Sequence, residues 1–295
     1  MKELGNVTHY LGLRVTQSPG QVTLDQTHYI EEFLKRFGMD SSKPVSTPSE
    51  KLSEEDCPAD EEEKQKMSHV PYREAVGCLN YIAQSTRPDI VFAVNVLSRF
   101  CTNPGVKHWQ GVKHLMRYLR GTSDYQLTYK KSKDDSIIGY SDADWDADKQ
   151  DRISTTGFVF IAQGGAISWT SKKQHAVALS SCEAEYYALA SGIQEALWWQ
   201  GLRAELDKHR PIQMFCDNQS AIKVSEGNGF NPRLKHIDIR YKFVKDEINK
   251  GKIKLNYIST LEQPADVLTK GLDKTKTMKF SKMLGVLPST RKSND

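Results

Sequence analysis

The sequence predicts an α/β protein: a mixed five-stranded sheet with helices on both faces, preceded by a smaller, mainly helical segment. Three observations predict it. Apolar residues recur at helical spacing in three stretches between residues 72 and 120, separated by Arg87-Pro88 and by Asn103-Pro104-Gly105. The pattern changes at Gly121-Thr122-Ser123-Asp124, after which short apolar strands dominate. Those strands come as three in a row, then helix, strand, helix, strand, helix, the order of a mixed sheet covered by helices.

Each element follows from its own residues. The first 24 residues alternate apolar and polar around a break at Ser18-Pro19-Gly20, which predicts two strands and a turn. Asp25 is placed to cap a helix carrying Tyr29, Ile30, Phe33, Leu34 and Phe37 on one stripe. Residues 39–70 contain Pro44, Pro48 and Pro58, and seven of the ten positions from Glu54 to Glu63 are acidic, so an exposed linker without fixed structure is expected. Helices are predicted over 72–85, 89–102 and 106–120, strands over 136–142, 157–162, 166–171, 211–216 and 252–258. Helices over 180–206, 218–226 and 236–249 lie between the later strands, and a last one begins near Glu262. The corresponding domains are 1–38, 39–70, 71–130, 131–272 and a basic tail at 273–295, expected to be flexible.

Composition excludes several classes. The 295 residues are enough to bury a sizeable core without disulfides, and Cys57, Cys78, Cys101, Cys182 and Cys216 have neither ligand nor disulfide-framework spacing. They read as reduced intracellular thiols. The start lacks a signal-peptide core and the most apolar run, 90–97, is too short to span a bilayer, so a cytoplasmic or nuclear protein with no membrane partner is expected. The net charge of +4, from 41 basic and 37 acidic residues, is mild enough to decide nothing.

Acidic residues in the second half fall where strands end and helices begin. Asp142 ends the strand Ile137-Ile138-Gly139-Tyr140, Asp217 ends 211–216, Glu185 lies in the first turns of the long helix, and Asp266 lies in the last helix. If the first and fourth strands of this half are neighbours, their aspartates converge. Crowded carboxylates repel unless a cation neutralises them, and two Mg²⁺ ions, with Mn²⁺ as a substitute, suit oxygen ligands and phosphodiester hydrolysis. Strand-end aspartates also serve as ordinary helix caps, so spacing alone leaves both readings open. The run Asp142, Asp144, Asp146, Asp148 fails as a calcium loop, because Ala147 and Ile153 stand where glycine and glutamate are required. Asp144, Asp146 and Asp148 are then expected on a solvated loop. Glu185 is in line with Ala188, Leu189, Gly192 and Ala196, a packing stripe, whereas Glu183 is in line with Tyr187 and Gln194; Glu185 is therefore assigned to the site and Glu183 to the surface.

Seven ordered blocks carry a resemblance: GYSDADW at 139–145, DRISTTGF at 151–158, ISWTSKKQ at 167–174, ALSSCEAEY at 178–186, CDNQSAI at 216–222, KHIDIRY at 235–241 and QPADVLTK at 263–270. They resemble the ribonuclease H region of copia-type long-terminal-repeat retrotransposon Pol polyproteins. Upstream, MKELG at 1–5, YLGL at 10–13, PYREAVGCLNY at 71–81 and TRPDI at 86–90 resemble the end of that family's reverse transcriptase, its thumb and its connection. The resemblance implies a ribonuclease H-like fold, Asp142, Glu185, Asp217 and Asp266 as metal-binding catalytic carboxylates, and hydrolysis of the RNA strand of an RNA–DNA hybrid. It further implies an upstream polymerase palm and fingers as partners, their paired aspartates lying before Met1, and virus-like particles as a possible setting. The histidine that cellular ribonucleases H carry before the last aspartate is replaced by Ser259-Thr260-Leu261-Glu262-Gln263.

Substrate contacts are expected from basic and hydroxyl side chains. Arg233, Lys235, Arg240, Lys242 and Lys245 belong to a stretch with eight basic and three acidic residues between 233 and 254. Ser154 and Thr155, with Lys172 and Lys173, offer hydroxyls and amines to phosphates or 2′-hydroxyls, and Asn218 and Gln219 follow Asp217. A solvated helix face is the plainer reading of the basic run, and His236 reads as structural. The rival to an enzyme is a catalytically silent nucleic-acid-binding remnant that retains the carboxylates.

Overall fold

The computed structural model describes residues 5–145, 152–206, 210–226 and 238–289. In chain order these form β1 (His9–Tyr10), β2 (Leu13–Ser18), β3 (Gln21–Asp25), α1 (Thr27–Arg36), α2 (Glu61–Met67), α3 (Tyr72–Ser85), α4 (Val91–Ser98), α5 (Val106–Gly121), β4 (Tyr125–Lys130), β5 (Ile138–Asp144), β6 (Thr155–Ala162), β7 (Gly165–Lys173), α6 (Ser181–Ala204), β8 (Ile212–Cys216), α7 (Gln219–Glu226), α8 (Asp238–Asn249), β9 (Ile253–Tyr257), α9 (Lys274–Met283) and β10 (Val286–Pro288). Two compact units result: Met1–Lys133 with Gln163–Gly165 and Gly271–Asp295, and Asp134–Ala162 with Ala166–Lys270.

In the first unit a sheet runs β1-β2-β3-β4-β10 with antiparallel pairing throughout. The turn between β2 and β3 closes with Ser18 opposite Gln21, and Gly20 takes the left-handed φ of 75° that glycine reaches without strain. Helix α1 buries Ile30, Phe33 and Leu34. Asp25 does not occupy its N-cap, which is Gln26; the Asp25 carboxylate instead pairs with Arg14 at 2.9 Å and accepts the Thr27 N–H.

Residues 39–70 depart from the expected unstructured linker. Their backbone carbonyls are gripped by side chains of α5: His114 meets Thr47 O at 2.8 Å, His108 meets Ser53 O at 3.0 Å, and Arg117 donates to Lys43 O at 2.7 Å. Part of the acidic run becomes α2, whose N-cap Asp60 accepts the Glu63 N–H while Glu61, Glu62 and Glu63 fill the first turn, where the helix dipole favours negative charge. The tail is likewise structured. Asp273 caps α9, Phe280 is fully buried, and β10 adds to the edge of β4; only residues 290–295 lie outside the described region.

A buried ion pair joins the helices of this unit to its sheet. Arg87, with no exposed surface, donates twice to Asp89 at 2.8 Å, to Thr122 O at 2.9 Å and to Thr122 Oγ1 at 2.8 Å, while Tyr118 donates to Asp89 Oδ2. The guanidinium also stands 5.6 Å from the Tyr118 ring and 5.5 Å from that of Tyr125.

The second unit contains the mixed sheet, ordered β7-β6-β5-β8-β9, with β5 antiparallel to β6 but parallel to β8, and β8 parallel to β9. Helix α6 packs on β5 and β6, burying Tyr186, Leu189 and Ile193 with Phe160, Ile212 and Met214. The opposite face of β6 meets residues 264–268: a Cβ at Gly157 would fall 2.9 Å from Leu268 Cβ. This corrects the expected last helix near Glu262. Thr260–Glu262 and Pro264–Leu268 are separate 3-10 turns, because Pro264 lacks the N–H that would continue the first.

Replacing Arg87 with alanine leaves Asp89 buried without its cation, and the expected cost is about 3–5 kcal/mol of unfolding free energy. Urea unfolding checks it; a loss within 1 kcal/mol would contradict a structural role for the pair.

Candidate metal centre

Parallel pairing of β5 and β8 is what brings the first two carboxylates together. Asp142 stands near the end of β5 and Asp217 directly follows β8, so both point from the same edge of the sheet. Ligand atoms of Asp142, Asp217 and Asp266 all lie within 4.8 Å of one another, and a second group within the same limit comprises Glu185, Cys216 and Asp217. Asp217 is common to both. Asp142 and Asp266 are each 1% exposed and Glu185 6%, so three of the four are nearly sealed from solvent.

Neighbouring side chains orient them. Thr260 donates to Asp217 Oδ2 at 2.8 Å, and the Thr269 hydroxyl donates to Asp142 Oδ2. Lys270 lies 3.0 Å from Asp266 Oδ1 and 3.5 Å from Asp142 Oδ2. Gln263 donates to the Ser141 carbonyl at 3.0 Å, which ties the loop before Asp266 to β5. Cys216 Sγ sits 3.9 Å from Glu185 Oε2 and accepts the Asn218 N–H.

Burial dominates the electrostatics. It pushes the Asp142 carboxyl up, against the opposing pull of Lys270 and of the Thr269 hydrogen bond. Asp266 is pushed up to about 7 by burial and then by the charge of Asp142, with Lys270 opposing. Glu185 is raised well above the usual carboxylate range by burial, then by Asp142 and Asp217. Asp266 Oδ2 is buried and has no hydrogen-bond partner. An oxygen-rich cluster with an orphaned acceptor and carboxylates resisting ionisation fits a hard divalent cation. Asp142, Asp217 and Asp266 would hold one ion, and Glu185 with Asp217 offers ligands for another.

Several expected placements differ. Glu183 is not on the surface: it is 2% exposed, and its side chain accepts the Leu179 N–H at 2.7 Å while its own N–H donates to Ser180 Oγ, a reciprocal cap on α6. Asp144 is not a solvated loop residue but the half-buried end of β5, pushed up to about 6 by burial. Ser154 and Thr155, at 0% and 5% exposure, belong to the interior, which corrects their reading as substrate contacts. The Asn218 side chain accepts the Ala221 N–H at 3.0 Å and so starts α7, whereas Gln219 is exposed. Arg233, Lys235 and His236, like Asp146 and Asp148, lie outside the described residues.

The basic side chains separate into two sets. Lys172, Lys173 and Arg240 line one groove of about 700 Å³ together with His175, Tyr187 and Ile239, and Arg240 stacks 4.2 Å over the Tyr187 ring. Lys242 is exposed, and Lys245 lies 5.6 Å from the Tyr241 ring. Lys250 and Lys252 are held by Glu247 at 2.7 and 2.9 Å. Sequence reasoning missed Thr260, Thr269 and Lys270. The i, i+4 spacing from Asp266 to Lys270 was the available signal for the last.

In the absence of metal, the folded chain retains a proton on Asp266 up to about pH 7, whereas the unfolded carboxyl loses it near 3.8. Stability from this group is therefore complete below the unfolded value and is lost as pH rises through about 7. Thermal unfolding in chelator should show a melting temperature that falls over this interval, and Asp266→Asn should flatten the fall. A parallel decline in the variant would locate the titration elsewhere.

No protein-family model matches the chain. A retrovirus-related Pol polyprotein from transposon TNT 1-94 of Nicotiana tabacum is 43% identical over 292 residues, 97% of this chain and 22% of that protein. The one from transposon RE1 of Arabidopsis thaliana is 38% identical over 291 residues, 97% of this chain and 19% of its own length. The solved structure of LC11-RNase H1 in complex with RNA/DNA hybrid is 16% identical, with a TM-score of 0.36 over 45% of this chain and 94% of that one. The chain thus spans about a fifth of the length of these polyproteins. With such identity sustained along nearly its whole sequence, the chain matches a segment of the retrovirus-related Pol polyproteins of transposons.

Proposed function

We propose that the second unit is a ribonuclease H, cutting the RNA strand of an RNA–DNA hybrid and leaving a 5′-phosphate and a 3′-hydroxyl. The observation that carries this reading is the convergence of Asp142, Asp217 and Asp266, with Glu185 alongside, at one edge of the sheet. Two divalent ions, Mg²⁺ or Mn²⁺, would supply an activated water and a counter-charge for the leaving oxygen.

The chain's own residues do the positioning. Thr260 and Thr269 hold the Asp217 and Asp142 carboxylates in fixed rotamers through hydrogen bonds to one oxygen of each. Gln174 donates to Thr156 Oγ1 and to the Ala184 carbonyl, both at 3.0 Å, and locks the end of β7 to α6 one residue before Glu185. The groove holding Lys172, Lys173 and Arg240 supplies cations for a phosphate backbone. In a longer polyprotein, upstream polymerase palm and fingers are the partners this reading expects, since the chain spans about a fifth of its relatives' length.

Purified chain incubated with a hybrid labelled on its RNA strand should cleave it only when Mg²⁺ is present. Asp142→Asn should slow cleavage at least about a hundredfold, since even partners outside the ligand set cost metal sites 10–100-fold. Binding without metal-dependent cleavage would favour the silent remnant. Replacing Lys172, Lys173 and Arg240 together with alanine should weaken hybrid binding and reduce the slope of log affinity against log salt by about 2–3. An unchanged slope removes the groove from the interface.

A further inference from the structure

The lysine beside the carboxylates has no part in the reading above, yet it occupies the position a metal ion would contest. Its ammonium is 3.0 Å from Asp266 Oδ1 and 3.5 Å from Asp142 Oδ2, and its side chain is 31% exposed. Two of the three carboxylates in the first metal-type group are therefore already bridged by a cation of the chain itself. The bridge is built locally: Lys270 follows Asp266 by four residues, and the intervening Thr269 donates its hydroxyl to Asp142, with the Asp266 carbonyl 3.2 Å from the same hydroxyl oxygen. One short stretch thus supplies a ligand, the hydrogen bond that orients a second ligand, and one positive charge shared between the two.

Resting on the metal-centre reading above, we propose that Lys270 is a positioning residue acting as a resident counter-cation, which holds Asp142 and Asp266 together in the metal-free chain and competes with the arriving divalent ion for them. Two consequences follow from Coulomb's law. Without the ammonium, the two buried carboxylates repel whenever both are ionised, and the metal-free fold weakens. Without the ammonium, a divalent ion also meets less positive potential and binds more tightly. Lys270 therefore keeps the centre ordered before metal arrives and sets the Mg²⁺ concentration at which it fills.

The test is calorimetric titration of the full 295-residue chain with Mg²⁺, in the absence of nucleic acid, for the parent, Lys270→Met and Lys270→Arg. The methionine variant should bind Mg²⁺ about tenfold or more tightly, a conservative figure for a unit charge removed from within about 4 Å of a partly buried ion. Its metal-free melting temperature should fall, and saturating Mg²⁺ should close the gap. The arginine variant should restore both properties to near the parent. Equal or weaker binding by the methionine variant, or an unaltered metal-free melting temperature, overturns the proposal. Should that variant be unfolded without metal, circular dichroism during the Mg²⁺ titration becomes the readout. Refolding supports the proposal and persistent unfolding overturns it. Tighter binding in a chain that never cuts a hybrid would keep this role and reject the nuclease, whereas cleavage with affinity indifferent to residue 270 would do the reverse. A parent that takes up no Mg²⁺ removes both.

Discussion

Desolvated negative charge is the constraint on which the second unit depends. Taking a carboxylate out of water costs several kcal/mol unless a cation or hydrogen bonds replace what the solvent supplied. Here Asp142, Glu185 and Asp266 are nearly sealed, and they stand close enough to Asp217 to repel as well. The fold answers with a threonine on each of two aspartates, a lysine across two of them, and carboxyl groups displaced upward from their ordinary range. A cluster arranged in this way is costly as a scaffold and makes sense as a receptor for cations.

Getting the fourth carboxylate there is a problem of packing. Glu185 comes from a helix, and it reaches the others only if α6 approaches the sheet closely. Met214 on β8 fills the space left by two glycines: a Cβ on Gly192 of α6 would stand 2.9 Å from Met214 Cε, and one on Gly139 of β5 would collide with Met214 Sδ. Ala184 and Ala188 continue the same small-residue contact beside Ala143. Close-packed interiors leave no slack for an added methyl group, so these positions tie the core directly to the chemistry.

Much of this was legible along the chain, and the failures have physical causes. The succession of strands along the chain, the long helix and the acidic residues at strand ends could be read because burial periodicity and charge at strand ends are local signals. The facing of Glu185 could be read from helical geometry. Glu183 could not be placed correctly, since a cap that accepts a backbone N–H is buried without belonging to any apolar stripe. Residues 39–70 looked unstructured by composition, but their stability comes from donors on α5 more than 50 residues away. Ser154 and Thr155 carry hydroxyls that suit a phosphate, and only the sheet decides that they point inward. Lys270 was hidden for the opposite reason: a lysine near an aspartate is common, and its significance lies in a second carboxylate contributed by a distant strand.

The pairing of β10 with β4 has a consequence for how the chain is made. The first unit is discontinuous: its sheet is completed by a strand at Val286–Pro288, whereas the second unit ends at Lys270. During synthesis from the N-terminus, the second unit emerges whole while the first still lacks its last helix and edge strand. Closing the first unit then joins ends separated by the entire second unit, which is a modest entropic cost when the insert is already compact and its own ends are fixed. The edge of β4 is therefore covered only once Val286–Pro288 has been synthesised, and until then it is open to other strands.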